Sequence, residues 1–152
     1  MKYVEASHCA GDKALSASIH RDIADAIAAI TIKPKRGVAS KLRAAFLGSL
    51  KGAGWSSEVT VAKGSDMTIT SIKDGVGLCL QTGNMARMYA DLMKLQTLYL
   101  EGAIMAAAIV IPSYETARLL GSNVANAKRL ERELSIFKKA YHVPTVVFGL
   151  ES

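Results

Sequence analysis

The sequence contains few cysteines and no long apolar run, and each absence excludes a class of protein. Cys9 and Cys79 are the two cysteines among 152 residues, too few for a disulfide framework and without the paired spacing of a zinc site. The longest apolar run, at 103–111, falls well short of the roughly 18 residues that a membrane helix needs. Residues 1–13 carry no apolar segment of the kind that a secretory signal has. We therefore expect two reduced thiols, no membrane partner and a cytoplasmic location.

The composition is that of a globular protein with a surplus of basic residues. Hydrophobic residues make up 50% of the chain and charged residues 21%, which distinguishes it from a disordered chain. A length of 152 residues predicts a single domain, residues 1–152. Lys and Arg number 19 against 13 Asp and Glu, a net charge of +6. This surplus favours approach to a polyanion such as nucleic acid, although solubility alone explains it equally well.

Hydrophobic spacing predicts elements in the order α, α, β, β, β, α, β, α, α, β. The predicted helices cover 14–30, 38–54, a segment that starts at Asn84, 114–121, and a last segment capped by Ser122 or Asn123. The predicted strands cover 55–62, 67–73, 76–82, 103–111 and 145–150. Because the run at 103–111 is apolar at successive positions, we expect it to be an interior strand of a sheet covered on both faces.

Asp74 and Gly75 separate two alternating runs, and an Asp-Gly pair in this context is a strong hairpin signal that favours a type I′ turn. With these two residues at the turn, the register places Thr70 opposite Cys79. Alternation then predicts an apolar face on the core and a small or polar face along a cleft or beneath a helix. The first face holds Met67, Ile69, Ser71, Val76, Leu78 and Leu80; the second holds Thr68, Thr70, Ile72, Gly77, Cys79 and Gln81.

Three stretches resemble the BglII-type restriction endonucleases within the PD-(D/E)XK nuclease superfamily. They are GVGLCLQTGNMARMYADLMKLQTLYLEGAI, GSNVANAKRLEREL and the pair Gly54-Trp55. The resemblance runs from about residue 36 to the C-terminus, and the elements from 38 to 111 repeat the superfamily's core order. It implies an α/β fold with a restriction-endonuclease-like αβββαβ core, a mixed sheet flanked by helices. It also implies double-stranded DNA as partner and a homodimer.

In that family an Asp, a Glu nine positions on and a Gln or Lys two beyond it form the motif D…ExQ. Here Gln81 matches the last position, whereas Thr70 takes the Asp position and Cys79 the Glu position. Mg²⁺ needs hard oxygen ligands, preferably anionic, and neither a hydroxyl nor a soft thiol supplies them. The resemblance therefore implies a DNA-binding protein without phosphodiesterase activity and with no cofactor.

Two alternatives remain open. The first is an active divalent-metal-dependent endonuclease, with Mg²⁺ held by carboxylates from elsewhere in the chain. The carboxylates considered are Asp22, Asp25, Asp91, Asp66 on the predicted cleft face, and Glu58, which the strand pattern directs to the apolar side. The second is a non-catalytic module that binds other proteins.

Two pairs of basic residues are candidates for phosphate contacts, which need cations lined along one face. Arg87 and Lys94 are seven residues apart directly after the hairpin, so we expect both to face the cleft, with Asp91 between them as a partner for Arg87. Lys128 and Arg132 are four residues apart on the late helix and, with Lys139, form a stripe. For each residue singly, a solvated helix face is the competing interpretation.

Overall fold

The computed structural model describes residues 1–152, and the chain forms six helices and seven strands around one main sheet. The strands are β1 (Lys2–His8), β2 (Val59–Thr60), β3 (Thr68–Ile69), β4 (Ser71–Lys73), β5 (Val76–Leu80), β6 (Ala106–Pro112) and β7 (Thr145–Glu151). The helices are α1 (Gly11–Ala14), α2 (Ala17–Ala28), α3 (Ala39–Gly52), α4 (Met85–Leu100), α5 (Tyr114–Leu120) and α6 (Ala127–Ile136). None of these helices has the length and apolar character needed to span a membrane.

The main sheet is mixed and has the order β1-β7-β6-β5-β4. Strands β5, β6 and β7 run parallel, while β1 and β4 add antiparallel edges. Strands β2 and β3 form a separate two-stranded sheet. The α/β fold with a mixed sheet flanked by helices is thus confirmed.

Alternating side chains of the central strands fill two apolar layers, one on each face of the sheet. Ala108 and Val110 of β6 pack with α2 and α3 on one face. Ala107 and Ile109 pack with α4 and α6 on the other face. Every residue of β6 is buried, as an interior strand with both faces covered requires. The predicted interior strand is therefore confirmed for residues 106–111, whereas residues 103–105 precede the strand and Met105 is exposed.

The hairpin that joins β4 and β5 turns at Asp74 and Gly75. Their φ values are 48° and 75°, and a type I′ turn requires positive φ at both central residues. The predicted register holds for the pairs Lys73↔Val76, Ile72↔Gly77 and Ser71↔Leu78. The hairpin prediction is confirmed up to this point, where the β4 ladder ends.

Beyond Ser71 the predicted strand is broken, because the chain bends at Thr70 and pairs with β2 instead of β5. The bend shifts the alternation, so Ile69 packs in the layer of Cys79 and not in that of Leu78. Met67, also predicted in the core, is 51% exposed. The predicted side-chain faces are therefore wrong for these two residues. Val76, Leu78 and Leu80 do share the expected core layer.

Three further details differ from the sequence prediction. Strand β1 lay outside the predicted elements and pairs antiparallel with β7. The first long helix begins after Ser16, whose side chain caps it, rather than at residue 14. Helix α6 is capped by Asn126, whose side chain accepts a hydrogen bond from the backbone N–H of Arg129, so the predicted caps Ser122 and Asn123 are wrong.

Candidate functional site

A polar cleft of about 620 Å³ opens at the carboxyl end of β5. Its walls come from α3, the two-stranded sheet, the loop after β5 and the first half of α4. Thr70, Gln81, Arg87 and Lys94, four residues selected from the sequence, all line it. Tertiary structure therefore brings the hairpin end and the start of α4 together, as the strand and helix order predicts.

Thr70 lines this cleft, whereas Cys79 does not and is buried in the apolar layer that includes residues of α4. The backbone N–H of Leu80 donates to Oγ1 of Thr70 at 2.9 Å. The thiol of Cys79 is buried. Burial raises the pKa of that thiol well above its usual value, and the charge of Asp91 adds to the effect. Cys79 is therefore a protonated, buried thiol, and the expectation that both cysteines are unpaired is confirmed.

Side chains complete the edge of β5 beyond the end of β4. The backbone N–H of Gln81 donates to Val110 of β6, so by alternation the polar backbone groups of Leu80 face the opposite, β4 side. Thr70 accepts from the N–H of Leu80, and Nη1 of Arg43 donates to its carbonyl oxygen at 3.3 Å. Two side chains that line the cleft thus replace a missing strand partner.

Gln81 is held at both ends of its amide. Its Nε2 donates to Oδ2 of Asp91 at 2.5 Å, and its Oε1 accepts from the backbone N–H of Gly83 at 2.8 Å. A Cβ at Gly83 would lie 2.9 Å from that Oε1 and 3.1 Å from Cδ of Arg87, so glycine allows Arg87 to lie across the loop. Gln81 is buried and has its polar atoms engaged, which orients it rigidly in the cleft wall.

Asp91 is the buried acid of the cleft. Its carboxylate accepts from Gln81 and from Nζ of Lys94, the latter at 3.4 Å. Burial raises the pKa of Asp91 above its ordinary value, while Lys94 and Gln81 oppose the rise. Asp91 pairs with Lys94 and not with Arg87, so the predicted Arg87–Asp91 pair is wrong. The reason is that the two cations flank Asp91 on α4 and Lys94 is the one directed inwards.

The side chains at the three motif positions do not suit a hard divalent cation. Of the three positions that the family motif would use, Thr70 is a neutral hydroxyl engaged by Leu80, Cys79 a neutral thiol and Gln81 an amide with both ends occupied. No group of three or more His, Cys, Asp or Glu side chains is arranged to hold a metal ion. Mg²⁺ prefers anionic oxygens in near-octahedral order, which these residues do not offer.

The carboxylates considered as alternative metal ligands are divided between the cleft and other parts of the chain. Asp66 and Glu58 line the cleft, the latter contrary to the expectation that it faces the apolar side. Glu58 is redirected because β2 starts only after it and its carboxylate pairs with Arg43. Asp22 lies elsewhere, where its Oδ2 accepts from Nζ of Lys73 at 2.6 Å and from the indole of Trp55 at 3.0 Å.

The cations of the cleft are Arg43, Arg87 and Lys94. Arg43 had appeared in the sequence only as one of several basic residues of its helix. It lies four residues after Ala39, which also lines the cleft, so the two share one face of α3. No carboxylate lies within salt-bridge distance of Arg87, so its guanidinium is available to an external anion.

Lys128 and Arg132 lie on α6, away from the lining of the cleft. Nζ of Lys128 is 5.7 Å from the ring centroid of Tyr114, and Nη2 of Arg132 donates to Glu133 at 3.0 Å. Lys139 follows the end of α6 at Ile136, so the predicted three-residue helical stripe is wrong. The structure thus separates the four basic residues selected from the sequence into a cleft pair and an α6 pair.

The sequence model of the restriction endonuclease BglII/BglIII family matches residues 3–150. The chain belongs to this family. Among solved structures, restriction endonuclease BglII in complex with a DNA 16-mer is similar to it with a TM-score of 0.88 at 13% identity, over 100% of this chain and 78% of that one. Free BglII matches with a TM-score of 0.77 at 15% identity, over 100% of this chain and 80% of that one. No curated protein matches. The BglII resemblance expected from the sequence is confirmed, and with it the fold.

Proposed function

We propose that this BglII family member binds double-stranded DNA in its cleft without hydrolysing it. The proposal rests on Thr70 and Cys79, which by the sequence resemblance take the positions that the family motif assigns to two metal-binding acids. Thr70 accepts the N–H of Leu80, and Cys79 is buried with a raised pKa. Neither group supplies negative charge for Mg²⁺, so no cofactor is expected.

The cations of the cleft support DNA as its partner. Arg43, Arg87 and Lys94 line one opening, and guanidinium groups suit phosphate because they donate hydrogen bonds in pairs. BglII itself has been crystallised with DNA, and the family shares this fold. Lys128 and Arg132 would extend the contact surface along α6, and their removal should weaken binding to all sequences alike.

DNA binding is tested by titrating a labelled duplex with the protein at several salt concentrations. Phosphate contacts release counterions, so affinity should fall as salt rises, and log Kd should increase with log salt with a slope of about 0.9 per contact. Replacing Arg87 by Gln should reduce that slope by about 1, because Arg87 has no carboxylate partner, whereas Lys94 is already paired with Asp91. If the protein does not bind the duplex even at low salt, the DNA-binding proposal is wrong. The hypothesis of a non-catalytic module that binds other proteins would then replace it.

The double variant Thr70→Asp, Cys79→Glu tests the hypothesis that these two residues replace the metal-binding acids of the family. Nicking of supercoiled plasmid with Mg²⁺ or Mn²⁺ should be absent in the unchanged protein and appear only in the double variant, because it restores two anionic oxygen ligands. The single variants serve as controls for folding and for partial sites. Because a Glu at a buried position can prevent folding, the cleavage assay on the unchanged protein provides an independent arm. Cleavage by the unchanged protein that survives Thr70→Ala contradicts the assignment.

One observation favours an active enzyme with relocated ligands as the second candidate. Three carboxylates, those of Glu58, Asp66 and Asp91, line the same cleft. Glu58 is paired with Arg43 and Asp91 with Lys94, so each would have to exchange its cation for the metal. Loss of divalent-dependent nicking in Asp91→Asn would support this candidate.

A homodimer belongs to the same proposal. The exposed side chains Met93 of α4 and Phe137 at the end of α6 line one cavity, and Leu100 and Ile136 of the same two helices are also exposed. Exposed apolar patches of this kind mark association surfaces. Light scattering coupled to size-exclusion chromatography should give twice the chain mass of 16.2 kDa. A monomer at micromolar concentration, with and without DNA, would exclude a dimer.

A further inference from the structure

Arg43 and Glu58 lie where two cavities meet. The cleft of about 620 Å³ adjoins a second cavity of about 380 Å³ between α3 and the segment around Trp55. Both are lined by Arg43, Glu58 and Thr70. The side chains of Arg43 and Glu58 therefore form a partition across what would otherwise be one longer groove.

The two ends of the Arg43 guanidinium differ in how firmly they are held. Nη1 donates to the carbonyl oxygen of Leu80 at 3.3 Å, which anchors the group at the edge of β5. Nη2 lies 3.7 Å from Oε1 of Glu58, beyond hydrogen-bonding distance. The two side chains are 36% and 59% exposed, so solvent screens the attraction. Ion pairs of this kind are weak and readily exchanged.

We infer that Arg43 binds a backbone phosphate of the DNA and that Glu58 occupies this cation until the phosphodiester displaces it. The inference rests on the proposed DNA binding and deepens it. A phosphate oxygen within hydrogen-bonding distance of Nη2 replaces a longer, solvent-exposed contact, while Nη1 stays on Leu80. Withdrawal of Glu58 joins the two cavities into a continuous groove along which a strand of DNA lies.

The other charged groups of the cleft are placed so that Arg43 is the cation that meets a phosphate on the α3 side of the groove. Lys94 is engaged by Asp91, which is itself fixed by Gln81. Arg87 is without a carboxylate partner and lies across the loop at Gly83, on the side of α4. Arg43 approaches from α3 on the opposite wall, so phosphates in the groove meet one cation from each side. Asp66 also lines the cleft and has no cation within salt-bridge distance, so its charge disfavours anions there and directs the strand towards Arg43.

The test measures duplex affinity for a set of variants at one salt concentration. Glu58→Gln should tighten binding about two- to five-fold, because it removes a competitor of the strength of an exposed ion pair. Arg43→Met should weaken binding about ten-fold and reduce the salt slope by about 1. The matched control is Glu115→Gln, which breaks a comparable exposed pair with Arg118 on α5, 3.9 Å apart, and should leave affinity unchanged.

The double variant Arg43→Met, Glu58→Gln separates the exchange from simple repulsion of DNA by Glu58. If Glu58 acts on Arg43, the gain from Glu58→Gln should vanish in the Arg43→Met background. A gain that persists there, or one no larger than that of Glu115→Gln, overturns the inference while DNA binding stands. Binding that appears only in Glu58→Gln supports it strongly. Absence of binding in the unchanged protein and in Glu58→Gln alike overturns both this inference and the proposed function.

Discussion

Thr70→Val isolates the structural role of the hydroxyl that stands at the cleft floor. Valine keeps the shape of threonine but cannot accept a hydrogen bond. In the native protein Oγ1 of Thr70 accepts from the N–H of Leu80 at 2.9 Å, in a buried contact beyond the last β4 pair. The variant leaves that N–H without its partner, because β4 does not reach it.

A buried donor without a partner costs about 1–3 kcal/mol. For a domain of this size each kcal/mol shifts the melting temperature by about 2–4 °C, so Thr70→Val should lower it by about 2–12 °C. Thr70→Ser is the matched control, since it keeps the hydroxyl and gives up only one methyl group, which costs about 0.8 kcal/mol when buried.

Urea unfolding followed by the fluorescence of Trp55, the one tryptophan of the chain, measures these changes directly. Trp55 is buried and bonded to Asp22, so its environment changes on unfolding. The unfolding midpoint should fall for Thr70→Val with an unchanged slope. A Val variant as stable as the native protein would mean that water in the cleft satisfies Leu80, and the reasoning about the strand edge would be wrong.

Two further predictions concern the buried Asp91 and the close contact between Gly11 and the backbone of Thr145. Burial raises the pKa of Asp91, so its contribution to stability is fully present below its unfolded pKa near 4 and is lost as pH rises through the folded value. Asp91→Asn should therefore gain stability relative to the native protein as pH rises, whereas Asp12→Asn should lose it, because a hydrogen bond from Ser7 lowers the pKa of Asp12. Denaturant unfolding from about pH 2 to 7 measures both, since the Asp12 change falls below its ordinary pKa and the Asp91 change above it, and equal slopes would contradict the burial argument. Gly11→Ala should destabilise severely, since its Cβ would lie 2.3 Å from the backbone of Thr145, while Gly48→Ala, with nothing within 4 Å, should stabilise α3 by about 0.5–1 kcal/mol. Comparable melting temperatures for the two glycine variants would refute the close approach.

The features that the sequence predicted correctly are local ones. Asp74-Gly75 specifies its turn through positive φ at adjacent residues, and Asn84 caps α4 through its own side chain. The seven-residue spacing of Arg87 and Lys94 places both on the cleft side of α4. In each case the chemistry and the geometry lie within a few neighbouring residues.

What the sequence did not predict depends on partners far along the chain. Strand β1 has an exposed, weakly apolar pattern and exists because it pairs with β7 at the opposite end of the chain. The bend at Thr70 carries no Gly or Pro, and the alternation of residue types continues through it. The pair Arg43–Glu58 joins α3 to the approach to β2, a contact without any spacing rule.

The absence of acids at positions 70 and 79 affects the charge balance of the cleft, which also holds Asp91 and three cations. Carboxylates at 70 and 79 would stand beside Asp91, whose pKa burial already raises, and like charges in one desolvated site resist joint ionisation without a cation. With Thr70 and Cys79 in their place, Asp91 needs only Lys94 and Gln81 for partners. Arg87 then has no carboxylate within salt-bridge distance, and Arg43 has only the exposed Glu58. Under the proposed function, the same two replacements that remove the ligands of a metal leave cations available to the phosphates of DNA.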